Sequence, residues 1–208
     1  SLQYTHRSKI LHADIKQSNI LVDGNLNVKL TDYSVSTSYA EYPVNRKFIP
    51  PFVGTGRFIA PEVLEKLEID VKDINKIDIY SFGVVLFYLA YGTYPYNLKE
   101  IKSKEYGLIL KTLKSKKKLD FLNDRKISNL FADFLKKILE IDIHKRIDIE
   151  TALKHPWIKG AEILMNEKEK VCLLEKFLIE LISDSIIEFN NYLSCEDEDK
   201  RKSMLERL

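Results

Sequence analysis

Four polar residues that could perform chemistry interrupt the apolar segment LHADIKQSNILV at residues 11–22: His12, Asp14, Lys16 and Asn19. A carboxylate can accept a proton from a hydroxyl group, and a lysine can neutralise a phosphate. An amide oxygen and a second carboxylate can together hold a metal ion. Asp32, further along the chain, supplies that second carboxylate. The set therefore predicts phosphoryl transfer, which depends on positioning and on charge neutralisation.

Each of these residues also has an ordinary structural explanation. Asp14 taken alone is more typical of a turn or a helix cap than of a catalytic base. Asn19 alone is typical of a turn. His12 alone is typical of a hydrogen-bonded histidine in a protein core. Only a combination of motifs in order favours catalysis over these explanations.

A short hairpin is expected to bring Asp32 back beside Asn19. Residues 20–22 form an apolar run, Asp23-Gly24-Asn25 is a strong turn signal, and residues 27–33 alternate like a strand. Since a hairpin returns the chain to its start, the two metal-binding candidates should lie close together.

Helices are expected to follow this hairpin after a long loop. Residues 33–57 lack periodicity and predict a loop of functional importance. Pro61 favours a helix start. The apolar run 79–91 predicts a buried helix capped by Asp78 and ended by Gly92. Periodicity predicts further helices at 1–9, 98–113, 128–140 and 149–154, and one more after Trp157.

The composition is that of an ordinary globular chain. The 208 residues are 45% hydrophobic and 31% charged with a net charge of +2, which predicts no nucleic-acid partner. No apolar run is long enough to span a bilayer, so we expect no membrane partner. Cys172 and Cys195 lie far apart without metal-ligand spacing, which favours a reducing compartment. We expect a cytoplasmic location, with the nucleus as the alternative.

Five motifs occur in an order that resembles the serine/threonine branch of the eukaryotic protein kinases. HADIKQSN at 12–19 is similar to the catalytic loop of that family, and DYS at 32–34 stands where the family has D-F-G. GTGRFIAPE at 54–62 resembles the end of the activation segment. DIYSFG at 78–83 and the stretch from HKRI to HPW at 144–157 resemble helices of the C-terminal lobe. The subgroup loosely resembles the calmodulin-dependent kinases.

The resemblance implies an α+β fold that is mainly helical: a kinase C-terminal lobe with a small β-hairpin at the catalytic loop. It covers residues 1–159 and leaves 160–208 as a C-terminal helical extension. The family's glycine-rich loop and strand lysine lie upstream of the catalytic loop, whereas few residues precede His12 here. We therefore expect the N-terminal lobe to be absent from this chain, as in a fragment of an ordinary kinase.

The resemblance also implies the roles of the reacting groups and their ligands. The cofactors would be ATP and Mg²⁺, and the substrate would be a serine or threonine hydroxyl of a protein. Asp14 would be the catalytic base, Lys16 would contact the transferred phosphate, Asn19 and Asp32 would bind Mg²⁺, and Thr55 would lie at the substrate site.

Four further residues have structural roles by the same resemblance. His12 should pack and hydrogen-bond rather than transfer protons. Asp78 should hold the backbone of the catalytic loop. Glu62 should form a buried ion pair with Arg146.

Together with the expected absence of the N-terminal lobe, two departures from the family pattern favour an alternative, a catalytically inactive pseudokinase-type module that binds a protein partner. Ala13 replaces the arginine that usually meets an activation-loop phosphate, so we expect switching by phosphorylation of that loop to be weak or absent. Ser34 replaces a glycine, which restricts the backbone. The amphipathic helix predicted at 171–189 would be the binding surface, unless it packs against the lobe itself.

Overall fold

A computed structural model describes residues 1–24, 27–95 and 128–164, and the side chains of 161–164 are outside that description. The helices predicted at 98–113 and 171–189 lie outside the described residues, as do both cysteines. The partner surface at 171–189 and the division at residue 159 therefore stay predictions. The described part mixes helices with short antiparallel strand pairs.

The predicted hairpin is confirmed. Helix α1 (Leu2–Arg7) leads into strand β1 (Ile10–Leu11), and the polar segment follows. A short 3₁₀ turn (Gln17–Asn19) then enters strand β2 (Ile20–Val22), which pairs with β3 (Val28–Leu30). In this antiparallel pair Ile20 lies opposite Leu30, so the start of β2 and the end of β3 are neighbours.

The segment predicted as a structureless loop contains two short strands. Strand β4 (Thr37–Ser38) pairs with β1, and β5 (Lys47–Phe48) pairs with β6 (Ile69–Asp70). Strands of two residues have no detectable sequence periodicity, which is why the sequence did not predict them. The segment is thereby attached to the body of the domain at two places, near its start and at residues 47–48.

The central helix begins earlier than predicted. Helix α2 (Pro61–Leu64) starts at its proline as expected, but α3 (Lys76–Tyr91) has Asn75 at its N-cap. The prediction that Asp78 caps this helix is wrong, because Asp78 lies in the first turn and its carboxylate binds elsewhere. Gly92 ends the helix in the left-handed conformation, as predicted (φ 64°).

The core forms where α3 packs against α4 (Asn129–Ile138). Gly83 of α3 lets the helices approach closely, since a Cβ atom there would lie 2.9 Å from the Leu139 side chain. Helices α5 (Ile149–Leu153) and α6 (Pro156–Leu164) close the described chain, and α6 starts just before Trp157 rather than after it. Within the described residues, no helix has both the length and the apolar character needed to cross a membrane.

Candidate active site

The side chains of Asp14, Lys16 and Thr55 contact one another and form a closed triangle, called here the Asp14 triangle. The Thr55 hydroxyl donates to Asp14 Oδ1 at 2.8 Å, and Lys16 Nζ lies 2.9 Å from Asp14 Oδ2. Lys16 Nζ also donates to Thr55 Oγ1 at 3.0 Å. Asp14 and Lys16 are close in the sequence, whereas Thr55 is distant from both. The structure thus brings together the predicted base, cation and substrate-site residue.

The pKa of Asp14 lies below its ordinary value although the residue is buried. Burial by itself raises the pKa of this carboxyl. The hydrogen bonds from Lys16, Thr55 and Asn19, together with the positive charge of Lys16, lower it and outweigh burial. At neutral pH the group is therefore a carboxylate, which can accept a hydrogen bond or a proton from a hydroxyl.

Asn19 and Asp32 provide oxygen atoms beside this triangle. The Asn19 amide nitrogen donates to the Asp14 carbonyl at 2.9 Å and to Asp14 Oδ2 at 3.2 Å. The Thr31 N–H donates to the Asn19 carbonyl at 3.0 Å, which places the residue before Asp32 next to Asn19. The amide nitrogen of Asn19 is thus engaged with Asp14, and within the described residues no hydrogen bond to its Oδ1 is seen.

Asp32 is exposed and has a left-handed backbone conformation (φ 62°). Its Oδ1 accepts the Ser34 hydroxyl at 2.6 Å and the Ser34 N–H at 3.3 Å. These bonds from Ser34 hold the pKa of Asp32 below its ordinary value. An anionic carboxylate and a neutral amide oxygen are ligands that Mg²⁺ takes in proteins, so the residues present fit this ion.

Asp78 holds the backbone of the polar segment from within the core. Its fully buried carboxylate accepts the N–H groups of His12 and Ala13, each at 2.9 Å. Ala13 is thereby kept in the left-handed conformation (φ 66°). The carboxylate also lies 2.9 Å from His6 Nε2. Sequence reasoning missed His6, because a contact between residues so far apart leaves no local signal.

His12 occupies a structural position. The Asp14 N–H donates to its Nδ1 at 3.3 Å, so Nε2 carries the hydrogen that bonds the Thr31 carbonyl at 3.0 Å. The Tyr33 ring packs on the imidazole with 4.6 Å between centroids, and its hydroxyl lies 2.8 Å from Thr5 Oγ1. The anchorage of Tyr33 to Thr5 was also missed. These contacts fix the end of β3 to the polar segment.

Glu62 and Arg146 form a buried ion pair with two parallel contacts. Arg146 Nη1 and Nη2 lie 2.7 and 2.9 Å from the two carboxylate oxygens of Glu62. The guanidinium also donates to the carbonyls of Glu140 (2.7 Å), Lys76 (2.9 Å) and Ile141 (3.3 Å). The pair therefore connects α2, which follows Thr55, to the start of α3 and the end of α4.

Replacement of Gly54 by alanine is expected to lower the free energy of unfolding by about 1–3 kcal/mol. Gly54 has a left-handed φ of 102°, and a Cβ atom there would lie 2.6 Å from the Ala13 carbonyl oxygen. Gly24 is the matched control, since a Cβ atom there meets nothing within 4 Å. Urea unfolding should show Gly24→Ala to be as stable as the original chain. Equal stability of Gly54→Ala and Gly24→Ala would contradict the close approach of Gly54 to the Ala13 carbonyl.

Acid is expected to destabilise the fold as the pH falls below about 4, the ordinary pKa of aspartate. In Asp73, burial raises the pKa, but hydrogen bonds from Lys76 and His144 lower it overall. A lowered folded-state pKa stabilises the protein above the unfolded pKa, and this stabilisation is lost as the pH falls through the folded pKa. Urea midpoints measured at pH 2–7 should fall less steeply in Asp73→Asn. An identical pH profile would rule out this contribution.

A comparison with known protein families agrees with this geometry. The family model described as the protein kinase domain matches residues 1–158. The chain belongs to the protein kinase family. In this kinase-family chain the matched residues include the Asp14 triangle, the hairpin with Asp32, and the Glu62–Arg146 pair.

Curated relatives of this kinase-family chain are serine/threonine and calcium-dependent kinases. Testis-specific serine/threonine-protein kinase 2 of Mus musculus is 28% identical over 160 residues, which are 76% of this chain and 42% of the relative. Calcium-dependent protein kinase 4 of Plasmodium berghei is 33% identical over 174 residues, which are 82% of this chain and 30% of the relative. The chain thus spans less than half the length of these relatives.

Proposed function

We propose that this chain is the C-terminal lobe of a protein serine/threonine kinase that transfers the γ-phosphate of Mg-ATP to protein hydroxyls. The observation that carries the proposal is the triangle of Asp14, Lys16 and Thr55, with the oxygens of Asn19 and Asp32 beside it. Phosphoryl transfer needs three things in one place: a group that accepts the proton of the substrate hydroxyl, a cation, and oxygens that bind a metal ion. The site contains each of these groups.

Asp14 is the group that receives the proton of the substrate hydroxyl. Thr55 and Asn19 hold its carboxylate from two sides, so that it is aimed before substrate binds. Lys16, which lies against both Asp14 and Thr55, supplies positive charge where the phosphate is transferred. Asn19 and Asp32 would hold Mg²⁺, which when bound neutralises phosphate charge.

The hairpin beside the site exposes an apolar surface. Val22 and Val28 lie opposite each other on one face of the hairpin and are 41% and 54% exposed, whereas Leu21, which is 52% exposed, lies on the other face. Apolar side chains grouped in this way are typical of surfaces that bind a ligand or another domain. We propose that the nucleotide base and a lobe outside the described residues cover this surface, so that tight ATP binding requires a longer chain.

Titration calorimetry with Mg-ATP tests the proposal on this chain and on the longest form extended upstream. We expect binding by the extended form, and its loss in Asp32→Asn, since that substitution removes a charged metal ligand. Asp133→Asn is the matched control, because Asp133 is also an aspartate with hydrogen-bonded partners but lies on α4. Absence of binding in both forms, with the fold intact, would favour the inactive protein-binding module.

A further inference from the structure

The two oxygens of the Asp32 carboxylate differ in the hydrogen bonds that they accept from Ser34. Both hydrogen bonds from Ser34 reach the same oxygen, Oδ1: the hydroxyl at 2.6 Å and the N–H at 3.3 Å. Among the described residues, no hydrogen bond or ion pair reaches Oδ2. One oxygen of the carboxylate is thus engaged within the protein, and the other is not engaged by any described residue.

We propose that Ser34 is a positioning residue that makes the Asp32 site select Mg²⁺ over Ca²⁺. This inference rests on the proposed function, in which Asp32 is a metal ligand. A hydroxyl bond to a charged oxygen is strong, so it fixes the orientation of an otherwise exposed carboxylate. The orientation of a ligand by its hydrogen-bond partners typically controls metal affinity.

The selectivity follows from the number of oxygens that Ser34 leaves available. Mg²⁺ demands a strict octahedral arrangement, and a carboxylate with one free, fixed oxygen suits it. Ca²⁺ is larger, takes more oxygens, and often uses both oxygens of one carboxylate. Engagement of Oδ1 by Ser34 removes the second oxygen and so works against Ca²⁺. Loss of the hydroxyl would leave Oδ1 with only the longer bond from the Ser34 N–H, at 3.3 Å.

The backbone around Asp32 is held by contacts that do not involve the Ser34 side chain. Tyr33 is anchored to Thr5 through its hydroxyl and to His12 through its ring. Ser34 itself is exposed. Replacement of Ser34 by alanine should therefore change the orientation of the Asp32 carboxylate while the fold and the backbone persist.

The experiment uses the full 208-residue chain. Electron paramagnetic resonance of free Mn²⁺ measures metal binding, and Mg²⁺ or Ca²⁺ is then added as a competitor. Binding that survives in Asp32→Asn belongs to other carboxylates and is subtracted. Ser36→Ala is the matched control, because the exposed Ser36 hydroxyl also donates a local bond, to the Tyr33 carbonyl at 2.8 Å. Ser34→Thr keeps the hydroxyl and should rescue the effect.

We expect Ser34→Ala to weaken competition by Mg²⁺ about tenfold. Competition by Ca²⁺ should fall much less, while Ser34→Thr and Ser36→Ala should behave like the original chain. An unchanged ratio of Mg²⁺ to Ca²⁺ affinity in Ser34→Ala would overturn the inference and leave the proposed function intact. Metal binding unaltered by Asp32→Asn would instead overturn Asp32 as a metal ligand, and with it this inference and the Mg²⁺ role in the proposed function.

Discussion

Replacement of Glu62 by glutamine is expected to lower the free energy of unfolding by about 3–5 kcal/mol. Arg146 is 1% exposed and has two contacts with the Glu62 carboxylate. Glutamine fills the same space but lacks the negative charge, so the guanidinium would remain buried without a counter-charge. Removal of one partner of a buried ion pair is among the most destabilising single changes.

Urea unfolding at neutral pH measures this effect against a matched exposed pair. Glu150 lies 3.0 Å from Arg7, and both side chains are largely accessible to solvent. Glu150→Gln should change stability far less than Glu62→Gln, because solvent screens an exposed ion pair. Equal effects of Glu62→Gln and Glu150→Gln would show that burial of the Glu62 pair does not determine its contribution.

The Glu62–Arg146 pair also has a consequence for the site. Glu62 lies in the first turn of α2, which follows the segment with Thr55, and Arg146 binds backbone carbonyls at the start of α3 and after α4. Asp78, in the first turn of α3, holds the backbone beside Asp14. Helix α3 is therefore connected to Asp14 through Asp78, and to the segment with Thr55 through Arg146 and Glu62. Loss of the ion pair should loosen both connections.

Features with local sequence signals were predictable. The hairpin has an apolar run, a turn and an alternating run in order, and α3 has a long apolar stretch that ends at Gly92. The cap of α3 was mispredicted because an aspartate before an apolar run resembles a cap. Asp78 instead accepts hydrogen bonds from His12 and Ala13, and only tertiary packing brings these residues together.

The candidate site was predictable in its members but not in its internal contacts. Motif order indicated Asp14, Lys16, Asn19 and Asp32, because their types and spacing reflect the chemistry. The link from Lys16 to Thr55 and the engagement of Asp32 by Ser34 depend on side-chain orientation. The sequence at Ser34 showed only that a glycine was missing, whereas the structure shows what its hydroxyl binds.

Replacement of Asp14 by asparagine is expected to lower kcat about 10²–10⁴-fold in the form of the protein that binds Mg-ATP. Asparagine keeps the shape of the side chain but cannot accept the proton of a substrate hydroxyl. The affinity for Mg-ATP should change little, because Asn19 and Asp32 rather than Asp14 are the proposed metal ligands. Steady-state phosphorylation of a protein substrate and calorimetry on the same sample measure the two quantities.

Asp133→Asn is the matched control for Asp14→Asn. It distinguishes the loss of a catalytic base from the loss of any aspartate that pairs with a lysine. Asp133 lies 2.6 Å from Lys137 and 2.9 Å from His155, and its pKa is lowered by those two hydrogen bonds. It thus resembles Asp14 in charge and in having a lysine partner, but it is a half-exposed side chain on α4. Its replacement should leave kcat unchanged. A similar kcat for Asp14→Asn and Asp133→Asn would show that Asp14 is not the base.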